Sequence, residues 1–145
     1  MAEDLDGTRK WYLDGKLHRT DRPAVEDLDG TRKWYQDGLL HRTDGPAVEY
    51  SDGYREWWVD GERHRTDGPA VESAEGYCEW WVHGERRQSE DGPAYRFTNG
   101  VRVWCVGPGG LLHRTDGPAV EHPDGTGEWW VNGVRQPGPD TYKAG

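Results

Sequence analysis

One unit of about 23 residues, repeated six times, constrains this chain more than any other feature. Residues 3–25 and 26–48 are identical at 20 of 23 positions and differ only at Leu13/Gln36, Lys16/Leu39 and Arg22/Gly45. The anchor tryptophans Trp11, Trp34, Trp57, Trp80, Trp104 and Trp129 follow at intervals of 23, 23, 23, 24 and 25. Met1-Ala2-Glu3 occupies the phase of Ala24-Val25-Glu26. The spacing therefore predicts one repeat domain over residues 1–145, with units at about 1–23, 24–46, 47–69, 70–93, 94–118 and 119–135 and a tail at 136–145.

Within a unit, glycine and proline punctuate the chain too often for a helix. Unit three reads AVEYSDGYREWWVDGERHRTDGP. A short β-prone run precedes Ser51-Asp52-Gly53, a second run follows over 54–59, and Asp60-Gly61 closes it. Asp-Gly between β-prone runs is a hairpin signal, because glycine accepts the positive φ of the primed turns. The trailing Asp-Gly-Pro removes a ladder donor and forces a second turn. Each unit is expected to carry at least two short strands.

Composition fixes what kind of sheet this is. Leu, Val and Phe together number 20 of 145, about 14%, and isoleucine is absent. With a net charge of −9, that falls in the range of disordered chains, below roughly 20%. Nine tryptophans and seven tyrosines oppose disorder. Alternation puts Arg55, Trp57 and Val59 on one face and Glu56, Trp58 and Asp60 on the other. Units stacked in register place equivalent residues ~10 Å apart and make a ribbon of about 60 Å. The expected fold is all-β: an elongated antiparallel ribbon or solenoid of hairpin repeats, with aromatic ladders in place of a deep core. Arg9, Arg32 and Arg55 are placed to lie over the anchor rings.

The pattern D-G-x-x-x-W-(W/Y)-x-D/N-G-x-x-H-R resembles the MORN repeat and its bacterial variants. It stands here as DGTRKWYLDGKLHR, DGTRKWYQDGLLHR, DGYREWWVDGERHR and DGTGEWWVNGVRQP. The resemblance implies an extended ribbon of successive hairpins serving as a non-catalytic scaffold for proteins or lipids, in some bacteria beside toxin–antitoxin modules. The period of 23 and the added HRTDGPAVE depart from that family's shorter unit. A weaker likeness is to choline- and glucan-binding hairpin repeats.

Candidate chemistry is sparse. His18, His41, His64 and His113 recur one unit apart, so they cannot converge on one metal ion, whose ligands lie within ~2 Å. With Arg42/Asp44, Arg65/Asp67 and Arg114/Asp116 they are expected to pin the turn between hairpins. Ser51, Ser73 and Ser89 fall in turns without a nucleophile's setting. Cys78 and Cys105 fall on opposite faces, which predicts two free thiols. No enzyme activity, metal or cofactor is expected. The acidic charge opposes direct nucleic-acid binding. DNA mimicry is a weak alternative, since ~60 Å of duplex carries about 35 charges.

The breaks in the repeat carry the functional expectation. Unit four replaces His-Arg by Arg87-Gln88 and gains a residue; unit five replaces Asp-Gly by Gly107-Pro108-Gly109-Gly110. Tyr12 and Tyr35 give way to Trp58, Trp81 and Trp130, and Lys10 and Lys33 to Glu56, Glu79 and Glu128. These aromatics and the long turn form the expected docking surface for a protein partner with a basic surface, in the manner of an inhibitor or antitoxin. The alternatives are a cell-wall polymer or choline-like ligand held in aromatic clefts, and edge-to-edge self-association. No apolar run exceeds four residues, which predicts no transmembrane segment. The acidic start, without a signal-peptide pattern, sets a cytoplasmic expectation.

Overall fold

The computed structural model describes residues 1–88, 91–107 and 110–139. The chain is an all-β hairpin ribbon built, up to its last two strands, from two-residue strands. Unit two shows the plan: Val25–Glu26 pairs with Arg32–Lys33 across one turn, and Tyr35–Gln36 pairs with Leu39–Leu40 across a second. The first hairpins of all six units, with Val134–Gln136 of unit six as the last strand, join into one thirteen-stranded antiparallel sheet. The second hairpins of units one to five remain separate pairs. Each of these units thus carries four strands, twice the minimum expected.

The expected continuous strand over 54–59 is broken at Trp57, between Arg55–Glu56 and Trp58–Val59. The cause is a change of partner. The Trp57 N–H donates to the Ala70 carbonyl of unit four, at 2.8 Å, while its own carbonyl accepts from His64 in its own hairpin, at 3.1 Å. Trp11, Trp34 and Trp104 divide their bonds in the same way. The His-Arg-Thr-Asp-Gly-Pro loop leaves and returns at this point. In unit six the partner strand Val134–Gln136 reaches back to Trp129, and Gly127–Val131 runs unbroken.

Register assigns the two faces of the long sheet. On the anchor-tryptophan face the cross-strand row runs Glu3, Arg9, Glu26, Arg32, Glu49, Arg55, Glu72, Cys78, Arg96, Arg102, Glu121. Opposite charges face each other directly along most of it, the favourable arrangement for cross-strand pairs. The other face carries Val25, Val48, Val71 and Val120, each buried, next to Ala24, Ala47, Ala70, Ala94 and Ala119, which expose nothing. That thin strip of small side chains is the aliphatic core. The remaining apolar burial is aromatic.

Turn glycines set the spacing between units. Gly61 has φ +78°, and its Asp60 neighbour also sits at positive φ, 50°, as a primed turn requires. A Cβ on Gly61 would meet Leu39 of the preceding hairpin at 3.2 Å. Gly38, Gly84 and Gly133 likewise lie against Lys16, Glu62 and Leu111, so these hairpin tips rest on the hairpin before them. Among the described residues no helix is long and apolar enough to cross a membrane.

Candidate functional site

Four of the anchor tryptophans are covered by a loop arginine, and three of these arginines, Arg42, Arg65 and Arg114, had been assigned by sequence only to the turn. Arg19, Arg42, Arg65 and Arg114 lie 3.9 Å from the centroids of Trp11, Trp34, Trp57 and Trp104. Arg9, Arg32 and Arg55, expected over these rings, stand farther off, at 5.9, 5.9 and 5.5 Å. Arg65 donates through Nε to Asp67 at 2.9 Å and through Nη1 to the Pro69 carbonyl at 3.1 Å and Glu72 at 3.0 Å. Glu72 also accepts from Arg55 at 2.7 Å. The loop is thus organised around one guanidinium, and its expected turn-pinning role is present in full. In the neighbouring loops the equivalent bonds from Arg42 and Arg114 hold the carboxyls of Asp44 and Asp116 below the ordinary range.

The histidines supply a backbone acceptor. The Nδ1 atoms of His18, His41, His64 and His113 accept the N–H of Asp37, Asp60, His83 and Asn132, residues of the next hairpin turn, at 3.0, 3.1, 3.0 and 3.0 Å. This occupies one ring nitrogen of each and makes them structural. In unit four the two roles change order. Arg87 takes the ring-covering place, 5.0 Å over Trp80, and the Gln88 side chain accepts from the Gly107 N–H at 3.1 Å. The replacement of His-Arg thus preserves both contacts, the ring cover and the bond to the next hairpin turn.

The opposite face differs along the chain. In unit three the Trp58 indole N–H donates to Glu56 at 2.7 Å, and in unit four Trp81 donates to Glu79 at 2.7 Å. Tyr77 donates to the other oxygen of Glu79 at 2.5 Å. Burial, with that carboxylate second, pushes the Tyr77 phenol far above its ordinary value. Arg63 lies between the two indoles, 5.2 Å from Trp58 and 5.4 Å from Trp81. Arg86 lies between Trp81 and Tyr95, at 5.2 and 5.3 Å. The result is a stack, Trp58–Arg63–Trp81–Arg86–Tyr95, that fixes five large side chains. Cys105 packs near its end, where burial raises the thiol pKa against the pull of Arg86.

Two clefts open beside Trp81. One, of about 380 Å³, is lined by Trp58, Gly61, Glu62, Arg63, Trp81, His83 and Gly84. The next, of about 420 Å³, is lined by Trp81, Gly84, Glu85, Arg86, Gln88 and Gly107. A larger groove of about 650 Å³ runs between the loops of units two and three, but its Arg42 and Arg65 are already paired with Asp44 and Asp67. It recurs between units one and two. The Trp81 clefts are the candidate site.

No family model, curated protein or solved structure matches this chain.

The structure brings together Trp58, Trp81 and Gly107 of the expected surface; Gly110 lies across the same turn, its N–H bonded to the Gly107 carbonyl at 3.0 Å. Tyr12, Tyr35 and Trp130 belong to units one, two and six and do not line these clefts. Pro108 and Gly109 lie outside the described residues. The aromatics are also less exposed than docking by bare rings requires. Only Tyr12 is exposed, whereas Tyr35, Trp58, Trp81 and Trp130 are half-buried. Arg63 and Arg86 cover the rings, and the glutamates take the indole N–H of Trp58 and Trp81.

Those arginines and the role of the glutamates were missed in sequence. The signal was there: Lys10/Tyr12/Leu17 and Lys33/Tyr35/Leu40 become Glu56/Trp58/Arg63 and Glu79/Trp81/Arg86 as sets of three. A tryptophan N–H needs an acceptor and an arginine needs an anion, so the three positions change together. The two thiols, Cys78 and Cys105, are free and buried on opposite faces.

Proposed function

We propose that the chain is a non-enzymatic binding module whose docking surface for a protein partner is the double cleft beside Trp81. The observation that carries this reading is the pre-ordered stack of Trp58, Arg63, Trp81 and Arg86 between two adjoining openings. Tryptophan and arginine dominate interface hot spots, and side chains already held in place lose little freedom on binding. Glu62 and Glu85 are exposed on the rims and, with the net charge of −9, steer a basic partner. Inhibitor or antitoxin-like action fits a module of this kind, and the Asp-Gly aromatic hairpins support a MORN-like scaffold.

The other readings are less well supported. Arg63 occupies the cation position between Trp58 and Trp81, so a choline-like ligand would have to displace it. The carboxylates of Asp44, Asp67 and Asp116 are each neutralised by an arginine of their own loop, which weakens DNA mimicry.

The test is quantitative capture of partners from the source cell with wild-type protein, the rim double variant Glu62→Lys/Glu85→Lys, and the control Glu3→Lys/Glu75→Lys of equal charge change. The rim variant should lose at least about tenfold in affinity and the control little, with binding that weakens as salt rises. Equal loss from both variants would show general charge attraction and sink the site.

A further inference from the structure

The anchor face carries a row in which arginine and glutamate alternate, and the alternation fails once. Between Glu72 and Glu121 the row reads Cys78, Arg96, Arg102. Arg96 stands where the other units have Glu26, Glu49, Glu72 and Glu121, and it faces Arg102 directly. Like charges placed opposite one another destabilise a sheet. We propose that this break is a binding site for a small oxyanion, phosphate or a phosphate monoester.

The surroundings of the missing carboxylate favour an anion. In the regular units that glutamate accepts from two arginines, one on the adjoining strand and one on the loop. Glu72 takes Arg55 at 2.7 Å and Arg65 at 3.0 Å, and Glu121 takes Arg102 and Arg114. At the break the carboxylate is absent and Cys78 takes the place of its strand arginine, while the loop arginine remains and Arg102 of the following strand faces Arg96. Arg87 sits on the loop, over Trp80, in the place from which Arg65 reaches Glu72. Arg102 sits on the neighbouring strand, half-exposed, with one nitrogen turned to Glu121. Arg96 is exposed and uses one Nη atom on the Cys78 sulfur, at 3.1 Å. Among the described residues no carboxylate forms an ion pair with Arg87 or Arg96; the charge of Asp91 acts on Arg87 without a direct bond.

An oxyanion seated against Arg96 and Arg102 therefore restores the sequence of signs that the rest of the row has. A guanidinium presents parallel N–H groups that match two oxygens of a phosphate, and two guanidinia hold it from two sides. The site lies on the face opposite the Trp81 clefts and does not depend on them.

The test follows arginine Nε–H signals by NMR as inorganic phosphate, or separately O-phosphoserine, is titrated into the intact protein. Sodium chloride at matched ionic strength is the reference. Saturable movement of the Arg96 and Arg102 signals is expected, with Arg9 and Arg32 unmoved. A midpoint lower for phosphoserine than for phosphate marks an esterified ligand; the reverse marks the free anion. Arg96→Glu places a glutamate in the row and should abolish the response while raising thermal stability. Arg96→Gln, which adds no new ion pair, should weaken binding at least about tenfold. Movement identical to that in chloride, or full affinity in Arg96→Gln, would overturn the proposal.

Discussion

Gly68→Ala is the substitution that best tests how the loops hold the ribbon together. Gly68 has no positive φ, so alanine is acceptable to the backbone, but its Cβ would lie 2.9 Å from Cζ of Arg65. Unit one already shows the consequence, because Arg22 stands at the equivalent position. There Arg19 lies 3.9 Å from Asp21 and 3.7 Å from Glu26, against 2.9 and 3.0 Å for Arg65 with Asp67 and Glu72. Its distance to the tryptophan ring, 3.9 Å, is unchanged. A side chain at this position thus loosens the hydrogen bonds and spares the stacking. The Asp67 carboxylate is 84% exposed, and such surface pairs contribute ~0–1 kcal/mol. Arg65 and Glu72 are each 22% exposed, and their charge-assisted bond, ~1.5–3 kcal/mol when well shielded, is discounted for solvent to about 1–2. Replacing glycine stabilises by ~0.4–1 kcal/mol through the unfolded chain. The net loss is about 1 kcal/mol, a fall in Tm of ~2–4 °C for a chain of this size. Thermal unfolding followed by circular dichroism measures it. A Tm that is unchanged or higher would mean that the Arg65 bonds contribute nothing net, and the account of the loop would fail.

Other expectations are direct. Arg22→Gly should let Arg19 close on Asp21, with little net change in Tm, because the glycine costs about what the tighter pair contributes; a crystal structure would show the contact near the 2.8 Å of Arg42. Asp29, Asp44, Asp116 and Asp124 have carboxyls held below 3.8 by turn N–H, threonine or arginine donors. A depressed folded value contributes stability that is complete above the ordinary carboxylate range and lost as pH falls through the folded values, so acid unfolding should set in below about pH 4. In Asp116→Asn that onset should become shallower, as followed by near-ultraviolet circular dichroism. Thiol titration should find two reactive groups after denaturation and almost none before, since Cys78 and Cys105 are both buried. Long-range nitrogen–proton spectra at neutral pH should show Nδ1 as the unprotonated nitrogen of His18, His41, His64 and His113, and a protonated Nδ1 would contradict the acceptor geometry.

The repeat period, the two-faced alternation and the all-β ribbon were legible because each follows from local chemistry: Asp-Gly turns, proline stops and strand alternation. The split at Trp57 was not, because it arises from a change of partner between Ala70 and His64, which lie 13 and 7 residues away. The loop arginine over Trp11, Trp34, Trp57 and Trp104 was invisible for a similar reason. Strand alternation put Arg55 beside Trp57, but no sequence rule for strands says that a loop eight residues on folds back over it. At the candidate site, Trp58 and Trp81 stood out as departures from the repeat. Arg63 and Arg86 did not, because each looked like an ordinary exposed hairpin residue until its indole neighbours were seen. The change from Lys33 to Glu56 reads as a surface charge reversal in sequence. In the structure Glu56 is nearly buried and bonded to an indole N–H, so its charge serves packing first.

The divided bonding of the anchor tryptophan has a consequence for how such a chain can change in length. Trp57 needs the next unit's Ala70 on its N–H side, and the turn at Asp60 needs the previous unit's His41. Each interior unit is finished by the one on either side of it, always in the same sense. A deletion or insertion of a whole period reconnects equivalent donors to equivalent acceptors, whereas a cut of eleven or twelve residues strands both. The molecule is therefore extensible in quanta, like a zip that takes new teeth only as complete links, and residues 3–25 and 26–48, 20 of 23 positions alike, bear the mark of such a step.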